Sequence, residues 1–279
     1  PLRLVGSEMC IRDRHSIMKV TTWNINSVRL RASLATQILR IIKPDVLCLQ
    51  ETKCPNELFP YQIFKDAGYP HIAVNGMKGY NGVALISRVP FKTTKVLNWA
   101  GKEDCRHISA TFNNQIELHN FYVPAGGDEP DIEKNEKFDH KLKFLSELTD
   151  WFSSQRKPID PMILVGDLNI APLEADVWSH KQLLKVVSHT PVEIEHLDKL
   201  MTASHWIDTA RHLTPEPEKL FTWWSYRSRD WNIANKGRRL DHIWVTPALK
   251  KLITESTVLR EARGWEKPSD HAPVTTDLR

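Results

Sequence analysis

Long apolar segments are missing from this 279-residue sequence. Its longest uninterrupted apolar runs, such as 162–165 and 46–49, are strand-sized, whereas a helix that crosses a bilayer needs about 20 residues. This absence excludes a membrane-spanning segment, and we expect no membrane partner. The N-terminal region also lacks the continuous apolar stretch and the small-residue cleavage site of a secretory signal peptide.

Cysteine is scarce as well. The sequence has four cysteines, Cys10, Cys48, Cys54 and Cys105, and no two of them form a CxxC pair. A chain of this size can fold around an apolar core without disulfide bonds. We therefore expect a reduced, cytoplasmic setting, and we do not expect structural zinc.

A strong excess of charge of either sign is absent too. The formal net charge is +4, and 41% hydrophobic with 26% charged residues is ordinary for a globular protein. This mild basic bias permits a polyanionic partner without requiring one. Evidence for such a partner must come from local clusters of charge.

The N-terminal tail stands apart from the rest of the sequence. Its string SEMCIRDR resembles translated sequencing-adaptor read-through. We expect Met18 to be the natural start and residues 1–17 to be a non-native or disordered tail. No repeat, low-complexity tract or Ser/Gly linker interrupts the remainder, which predicts a single domain over residues 18–279.

Short apolar and β-branched segments recur along the chain and predict strands that outnumber the helices. Ser27 is predicted to cap a helix that runs to Ile42 before Pro44, and residues 131–152 have a similar helical pattern. The predicted strands HISATF and IELHNFYV follow each other across a turn at Asn113 and Asn114. This order predicts an α/β fold with a mixed sheet or two packed sheets rather than a Rossmann domain.

The GDLN motif follows the apolar strand 162–165. Asp167 and Asn169 are two residues apart, so extended backbone places both side chains on one face. There a carboxylate can handle a proton while an amide donates to a phosphate oxygen. The alternative for this motif alone is an Asx turn that closes a strand.

Two further strands are followed by polar residues. The strand 46–50 is followed by Glu51, a position typical of a ligand for a hard metal such as Mg²⁺. Asn24 and Asn26 close the strand TTWNIN. Read singly, Glu51 is better explained as a solvated strand-end residue, and the two asparagines as turn residues.

Asp270 and His271 stand together in PSDHAPV, just before the final strand. The pair offers a metal-binding or proton-accepting carboxylate beside a group that can donate to a phosphate. A capped loop explains this motif alone. Four polar motifs at strand ends together indicate an active site.

The densest basic and aromatic segment of the sequence is 223–239, which reads WWSYRSRDWNIANKGRR. Cations bind phosphates and aromatic rings pack against exposed sugars or bases, so this composition favours a distorted nucleic acid strand. A surface loop with buried tryptophans is the alternative.

The motifs WNIN, LQETK, GVALISR, NFYVP, GDLNI, RLDHIWV and SDHAPV, in that order, resemble the exonuclease III family of abasic-site DNA endonucleases. The resemblance runs from Met18 to the C-terminus. It implies a DNase I-like four-layer α/β sandwich, in which two mixed sheets pack face to face with helices outside. It also implies an Mg²⁺-dependent hydrolase, with Mn²⁺ as an alternative metal, that acts as a monomer on double-stranded DNA with abasic sites or blocked 3′ ends.

The same resemblance assigns roles to individual residues. Glu51 would bind the metal with support from Asn24 and Asp270. Asp167 would be the acid or base closest to the chemistry. The other implied catalytic residues are Tyr122 and Asn169 at the phosphate, His271 as a stabiliser of developing charge, and Asp241 as the residue that orients His271.

For DNA binding, the resemblance implies that Trp223 and Leu240 form an apolar pocket for a base-free sugar, while Arg227 and Arg238 bind the backbone. A flipped abasic nucleotide is easy to extrude because no stacked base is lost. Three positions depart from the family pattern. Arg238 replaces a tryptophan of some relatives, Ala125 replaces a frequent Asn or Gln, and Asn26 replaces an Asp.

Two alternatives from other functional classes stay open at this level. One keeps the fold and the metal but acts on a small-molecule or lipid phosphoester, which the basic and aromatic segment disfavours. The other is a module that binds damaged DNA without cutting it, which the retained set of site residues disfavours.

Overall fold

The computed structural model describes residues 16–279 and contains two six-stranded β-sheets. The strands in chain order are β1 (Met18–Asn24), β2 (Val46–Gln50), β3 (His71–Asn75), β4 (Val83–Ser87), β5 (Phe91–Lys95), β6 (His107–Phe112), β7 (Glu117–Tyr122), β8 (Met162–Asp167), β9 (Ile207–Asp208), β10 (Asp241–Val245), β11 (Ile253–Val258) and β12 (Val274–Leu278).

The helices connect these strands and lie outside the sheets. They are α1 (Val28–Ile42), α2 (Tyr61–Asp66), α3 (Glu136–Gln155), α4 (His180–Leu183), α5 (Pro191–Ala203), α6 (Thr209–Leu213) and α7 (Trp231–Ala234). Four short 3₁₀ turns complete the described chain at Asn56–Leu58, Glu174–Asp176, Pro247–Leu252 and Arg260–Gly264.

Both sheets are mixed. The first has the strand order β11-β12-β1-β2-β4-β3, and the second has the order β5-β6-β7-β8-β10-β9. Each contains one parallel pair, β1 with β2 and β7 with β8, among antiparallel neighbours. The predicted α/β architecture with two packed mixed sheets and outer helices is confirmed.

Side-chain alternation along the strands builds three apolar layers. In β2, Val46 and Cys48 point between the sheets and join Val165 of the second sheet in the central core. Leu47 and Leu49 point the other way, against α1 and α2. The outer face of the second sheet packs in the same manner against α3 and α5.

The structure confirms the first predicted helix and corrects the second. Ser27 Oγ accepts from Leu30 N at 3.4 Å at the start of α1, as expected. The helix predicted over 131–152 instead spans Glu136–Gln155. The side chain of Asp131 forms a turn by accepting from Glu133 N, and Asn135 supplies the cap by accepting from Lys137 N.

The sequence patterns missed β3, β5 and β9, and all three lie at the edges of their sheets. An edge strand has one partner and is less deeply buried, so its side chains need not be apolar. In β5 only Phe91 is partly buried, and the four residues after it are exposed. The alternation that marks a half-buried strand is therefore absent there.

Of the predicted tail, residues 1–15 lie outside the described part of the chain. Ile17 belongs to the described part, and its backbone N–H donates to Leu278 O at 2.7 Å, which extends the pairing of β1 with β12 by one residue. Over residues 16–279, no helix combines the length and the apolar character that crossing a membrane would require.

Candidate active site

One rim of the two packed sheets collects the polar residues that the sequence placed at strand ends. Asn24, Tyr122 and Asp167 are the last residues of β1, β7 and β8, and Glu51 follows the last residue of β2. β1 with β2 and β7 with β8 are parallel pairs, so their carboxyl ends meet at the same edge.

Two antiparallel strands begin at this rim. Asp241, the first residue of β10, lies opposite Asp167 in the ladder, and Tyr122 lies opposite Asp167 on its other side. His271 precedes β12, which runs antiparallel to β1. Site residues that are spread along the sequence from Asn24 to His271 therefore meet within one small region.

The backbone is unusual at this rim. Gly166 has φ +146°, and a Cβ at this position would lie 1.9 Å from Phe121 O in the neighbouring strand. Glu51 and Asn169 adopt left-handed conformations, with φ 51° and 52°. Such a conformation costs a non-glycine residue roughly 1–3 kcal/mol and is concentrated at functional sites. At both residues the left-handed conformation turns the backbone sharply just after a strand ends.

Asp167 is the centre of the site and is 1% exposed. Its Oδ2 accepts from Asn24 Nδ2 at 2.9 Å, and the same amide also donates to Glu51. Burial raises the pKa of Asp167 to about 7, against the opposing effect of the nearby His271. A carboxyl group with such a pKa can accept or donate a proton near neutral pH.

His271 lies between two carboxylates. Its Nδ1 is 2.8 Å from Asp241 Oδ2, and its Nε2 is 3.6 Å from Asp167 Oδ2. Burial alone would lower the pKa of His271, but Asp241 and Asp167 together raise it well above its ordinary value. Asp241 is itself held by Thr222, whose Oγ1 donates to Asp241 Oδ2 at 2.6 Å. The imidazole is thus kept as a fixed cation.

Tyr122 and Asn169 line the space in front of these groups. Burial and the Glu51 and Asp167 carboxylates raise the pKa of Tyr122 well above its ordinary value, so its phenol stays a hydrogen-bond donor. Asn169 Nδ2 donates to Val123 O at 2.7 Å. An amide group carries two N–H donors, so this bond fixes the side chain and leaves one donor for a ligand.

Among the described residues, Glu51, Asp167 and His271 form a cluster whose ligand atoms lie within 4.8 Å of one another. A protonated histidine has no free lone pair with which to ligate a metal, so the oxygens of Glu51 and Asp167 are the donors suited to a hard cation. Asn24 lies directly behind Glu51. Asp270 is farther along the same cavity, where its Oδ2 accepts from Trp223 Nε1 at 3.0 Å.

These groups form the floor of an open cavity of about 820 Å³. Ten of the twelve site residues predicted from sequence line it, and the other two, Asn24 and Asp241, lie buried behind the floor. The ten are Glu51, Tyr122, Asp167, Asn169, Trp223, Arg227, Arg238, Leu240, Asp270 and His271.

The wall of the cavity contains the predicted DNA-binding residues. The Arg238 guanidinium lies 5.1 Å from the centre of the Trp223 ring, and its Nη1 donates to Ser188 Oγ at 2.9 Å. Leu240 is buried beside Trp223 in a small apolar cluster. Arg227 is exposed at the rim of the cavity. The wall therefore combines an apolar patch, a stacked cation and an outer cation.

The remaining two departures from the family pattern, Asn26 and Ala125, have different surroundings. The Oδ1 of Asn26 accepts from Lys53 Nζ at 2.7 Å, so this position faces a cation of the protein rather than the cavity. Ala125 is exposed on the cavity wall, and its carbonyl accepts from Lys141 Nζ at 3.1 Å. Its methyl side chain offers no donor to a phosphate.

Sequence reasoning missed several residues that build the site. Trp178 and Ser188 line the cavity but belong to segments without a recognisable motif. Lys141 and Glu193 lie behind the cavity and are fully buried. A signal for Lys141 was present, because it stands three residues after Phe138 and four before Leu145 on the buried face of α3.

The whole site lies within a recognised family domain. The model of the endonuclease/exonuclease/phosphatase family matches residues 21–271, which include every predicted site residue. The chain belongs to this family. The family resemblance expected from the motifs is therefore confirmed.

Individual family relatives resemble almost the whole chain. Exodeoxyribonuclease III of Haemophilus influenzae is 32% identical over 94% of this chain and 100% of its own length. The structure of an AP endonuclease from Archaeoglobus fulgidus matches with a TM-score of 0.87 at 31% identity, covering 94% of this chain and 99% of that one. A 3′ phosphatase from Neisseria, bound to a product DNA hairpin, matches at 0.86 and 30%, with the same coverage.

Proposed function

We propose that this family member is an exonuclease III-like DNA repair enzyme. It hydrolyses the DNA phosphodiester 5′ to an abasic site in a metal-dependent reaction, and it also processes 3′ ends. The observation that carries this proposal is the buried Asp167 and His271 pair beside Glu51, at the floor of a cavity with a basic and aromatic wall. The names of the relatives support the DNA substrate and both kinds of activity.

The donor set fits a hard divalent cation, and we propose Mg²⁺, with Mn²⁺ as an alternative. Glu51 would hold it through a carboxylate oxygen, with Asn24 and Asp270 completing or supporting its surroundings. Carboxylate and amide oxygens are the ligands that Mg²⁺ prefers, and it usually keeps several waters. When bound, such an ion neutralises charge on the phosphate and polarises it.

The protein groups supply the rest of the chemistry. Attack of water on a phosphodiester needs a base and a group that protonates the leaving oxygen, and Asp167 has the pKa for either step. The His271 cation and the amide of Asn169 would stabilise the negative charge on the phosphate oxygens. Tyr122 would donate to the same phosphate, and Asp241 would hold His271 in place.

The cavity wall accounts for substrate choice. Trp223 and Leu240 would form the apolar surface for a sugar without its base, and Arg227, which lines the same cavity, would bind a backbone phosphate. The site is selective because a flipped nucleotide that keeps its base costs more to extrude and needs more room. Arg238 stacked on Trp223 narrows this surface.

A gel assay tests the proposal. A 5′-labelled duplex with one abasic analogue is incubated with the protein in millimolar Mg²⁺, with and without EDTA. We expect one cut 5′ to the analogue, a product that DNA polymerase can extend from its 3′-hydroxyl, and no product with EDTA. An intact duplex together with hydrolysis of inositol or sphingolipid phosphoesters would replace this function by the small-molecule alternative. Tight binding without cleavage would support the binding module.

A pair of variants tests the metal assignment in the same assay. Glu51→Ala should raise the Mg²⁺ concentration that gives half-maximal cleavage by about tenfold or more, because a carboxylate ligand is lost. Glu57→Ala is the matched control, since this exposed glutamate lies six residues away in the same segment. Equal Mg²⁺ requirements in both variants would remove Glu51 from the metal site.

We further propose that residues 18–279 act as one domain, as a monomer in the cytoplasm. The described cysteines Cys48, Cys54 and Cys105 are free thiols, which suits a reducing compartment. Sedimentation of the purified protein at micromolar concentration would test the monomer, and limited proteolysis would test the single domain.

A further inference from the structure

Behind the cavity wall, a lysine is buried completely. Lys141 lies in the first half of α3, and its Nζ donates to Glu193 Oε2 at 2.5 Å, to Asn169 O at 2.8 Å and to Ala125 O at 3.1 Å. All three N–H donors of the ammonium are therefore used. Two of the acceptors are backbone carbonyls of loops that line the cavity, and one belongs to Asn169 itself.

The partner carboxylate reaches a third cavity segment. Glu193, near the start of α5, accepts from Ser188 N at 2.9 Å and from Thr190 Oγ1 at 2.7 Å. Ser188 Oγ in turn accepts from Arg238, the cation stacked on Trp223. The ion pair thus joins the loops at 125, 169 and 188, which belong to three separate stretches of the chain.

Packing alone does not explain this pair. Removing two charges from water is costly, and a buried ion pair is often no more stabilising than apolar side chains of similar volume. The loop at 125 also fits closely around the lysine. Gly126 has φ +90°, and a Cβ there would lie 2.8 Å from Lys141 Cδ. The glycine allows the loop carbonyl to approach the buried ammonium.

We propose that Lys141 and Glu193 are positioning residues for the active site. They hold the backbone of Asn169 and the Ser188 support of Arg238 at the distances that the reaction needs. Neither side chain touches the cavity, so both act through residues that do. This inference rests on the proposed function, because the variants are compared by their rates of DNA cleavage.

The decisive variant is the double substitution Lys141→Met with Glu193→Gln. It leaves no unpaired buried charge, and the amide introduced by Glu193→Gln can keep the contacts of the original carboxylate to the start of α5. The lysine bonds to the 125 and 169 carbonyls and to residue 193 are lost, and so is the bond from Ser188 N to Oε2 of residue 193. We expect the double variant to unfold at a higher temperature than Glu193→Gln alone, in which the Lys141 charge stays buried without its partner, and we expect kcat to fall by about tenfold to a hundredfold.

A control at the other end of the same helix separates activity from stability. Arg156 follows α3 and donates to Glu117 Oε1 at 2.9 Å, far along the helix from Lys141. Arg156→Met should lower the unfolding temperature while kcat for the abasic duplex stays within about twofold of wild type. A purely structural role for Lys141 would make kcat follow the unfolding temperature in every variant.

A double-mutant cycle tests whether Lys141 affects kcat through Asn169. If Lys141 acts through Asn169, Lys141→Met should reduce kcat much less in an Asn169→Ala background than in the wild type. Equal fold-changes in both backgrounds would overturn this route. Lys141→Arg keeps the charge and protects folding, and its longer planar group cannot reproduce the three ammonium bonds, so a severalfold loss of kcat is expected.

The outcomes separate the two proposals. If the wild type cuts no DNA, the proposed function fails whatever the variants do. If the wild type cuts, and either the folded double variant or Lys141→Arg has wild-type kcat, the positioning role fails while the proposed function stands.

Discussion

Two buried networks that pair histidine with carboxylate include residues of the second sheet, and they differ in charge. The rim network comprises Asp167, Asp241 and His271, with Asn24 and Glu51 beside them. The helix-side network comprises His107, His119, Glu117 and Arg156 and lies between the sheet and α3. Residue types alone do not distinguish the two.

The helix-side network forms a line of neutral imidazoles that ends in an ion pair. Leu97 N donates to His107 Nδ1 at 3.1 Å, so His107 Nε2 carries the hydrogen that His119 Nδ1 accepts at 3.0 Å. His119 then donates to Glu117, which Arg156 also binds. Burial lowers the pKa of both histidines. Every step has a donor and an acceptor, and the line needs no ligand.

In the rim network one imidazole faces two carboxylates, and the pKa of His271 is raised well above its ordinary value. The floor of the cavity therefore offers a fixed cation, a carboxyl group that can exchange a proton, and an amide with a free donor. Under the proposed function, the rim network differs from the structural one because it holds charge without a closed set of partners, at a surface that a substrate can reach.

The largest expected effect comes from exchanging a carboxylate for an amide in each network. Asp167→Asn should reduce kcat for the abasic duplex by about a thousandfold or more, because proton transfer is lost while DNA binding is retained. Glu117→Gln makes the same chemical change in the helix-side network and should leave kcat within about twofold. If Asp167→Asn cleaved at the wild-type rate, the rim carboxylate would be as dispensable for cleavage as Glu117.

A smaller loss of kcat is expected at Asp241, which lies behind His271 and does not line the cavity. Asp241→Asn should lower kcat by about a hundredfold. An amide carries no negative charge to stabilise the His271 cation, and it can turn its N–H group instead of its oxygen toward the imidazole. Single-turnover cleavage measures this directly. The comparison would be weakened if Asp241→Asn lost stability and kept its full rate, because Asp241 would then resemble Glu117.

The helix-side network should contribute to the free energy of unfolding through the Glu117 carboxylate. Its partners His119 and Arg156 outweigh the effect of burial and lower the pKa of Glu117 to about 2, below the ordinary 4.5. The charged form is therefore stabilising above about pH 4.5, and this contribution is lost as the pH falls toward 2. Glu117→Gln should reduce the free energy of unfolding by about 1–2 kcal/mol at pH 7.

Urea unfolding at a series of pH values checks this prediction. The difference between Glu117→Gln and the wild type should be constant between pH 7 and about pH 5 and should shrink below that. A difference that grows on acidification would show that the sign of the linkage is wrong.

The smallest effect is expected at the exposed edge of the cavity. Arg227→Gln should weaken duplex binding severalfold and reduce the slope of log affinity against log salt by about one unit, because one phosphate contact is lost. Arg40→Gln, an exposed arginine in the last turn of α1, is the matched control. Salt titrations by fluorescence anisotropy would report both, and equal slopes would place Arg227 outside the DNA contact.

Much of the site was predictable because its residues stand where strands end. Asp167, Glu51 and Asn24 each close an apolar run, and parallel strands bring such ends to one edge. Lys141 and Glu193 could not be assigned in this way, because each lies within an amphipathic helix rather than at the end of a strand. Their importance depends on which loops reach them. The helix-side histidines illustrate the converse, since they lie beside a carboxylate as His271 does but have a closed set of partners away from the cavity.

The sequence by itself determined the α/β class, the positions of the inner strands and the motifs that compose the rim. Alternation and strand-end polarity are local properties, so they can be read from neighbouring residues. Only the tertiary structure decided the edge strands β3, β5 and β9, the start of α3 and the charge of each histidine. Those depend on burial and on carboxylates distant in sequence, such as Asp241 beside His271, because electrostatic effects follow distance in space rather than along the chain.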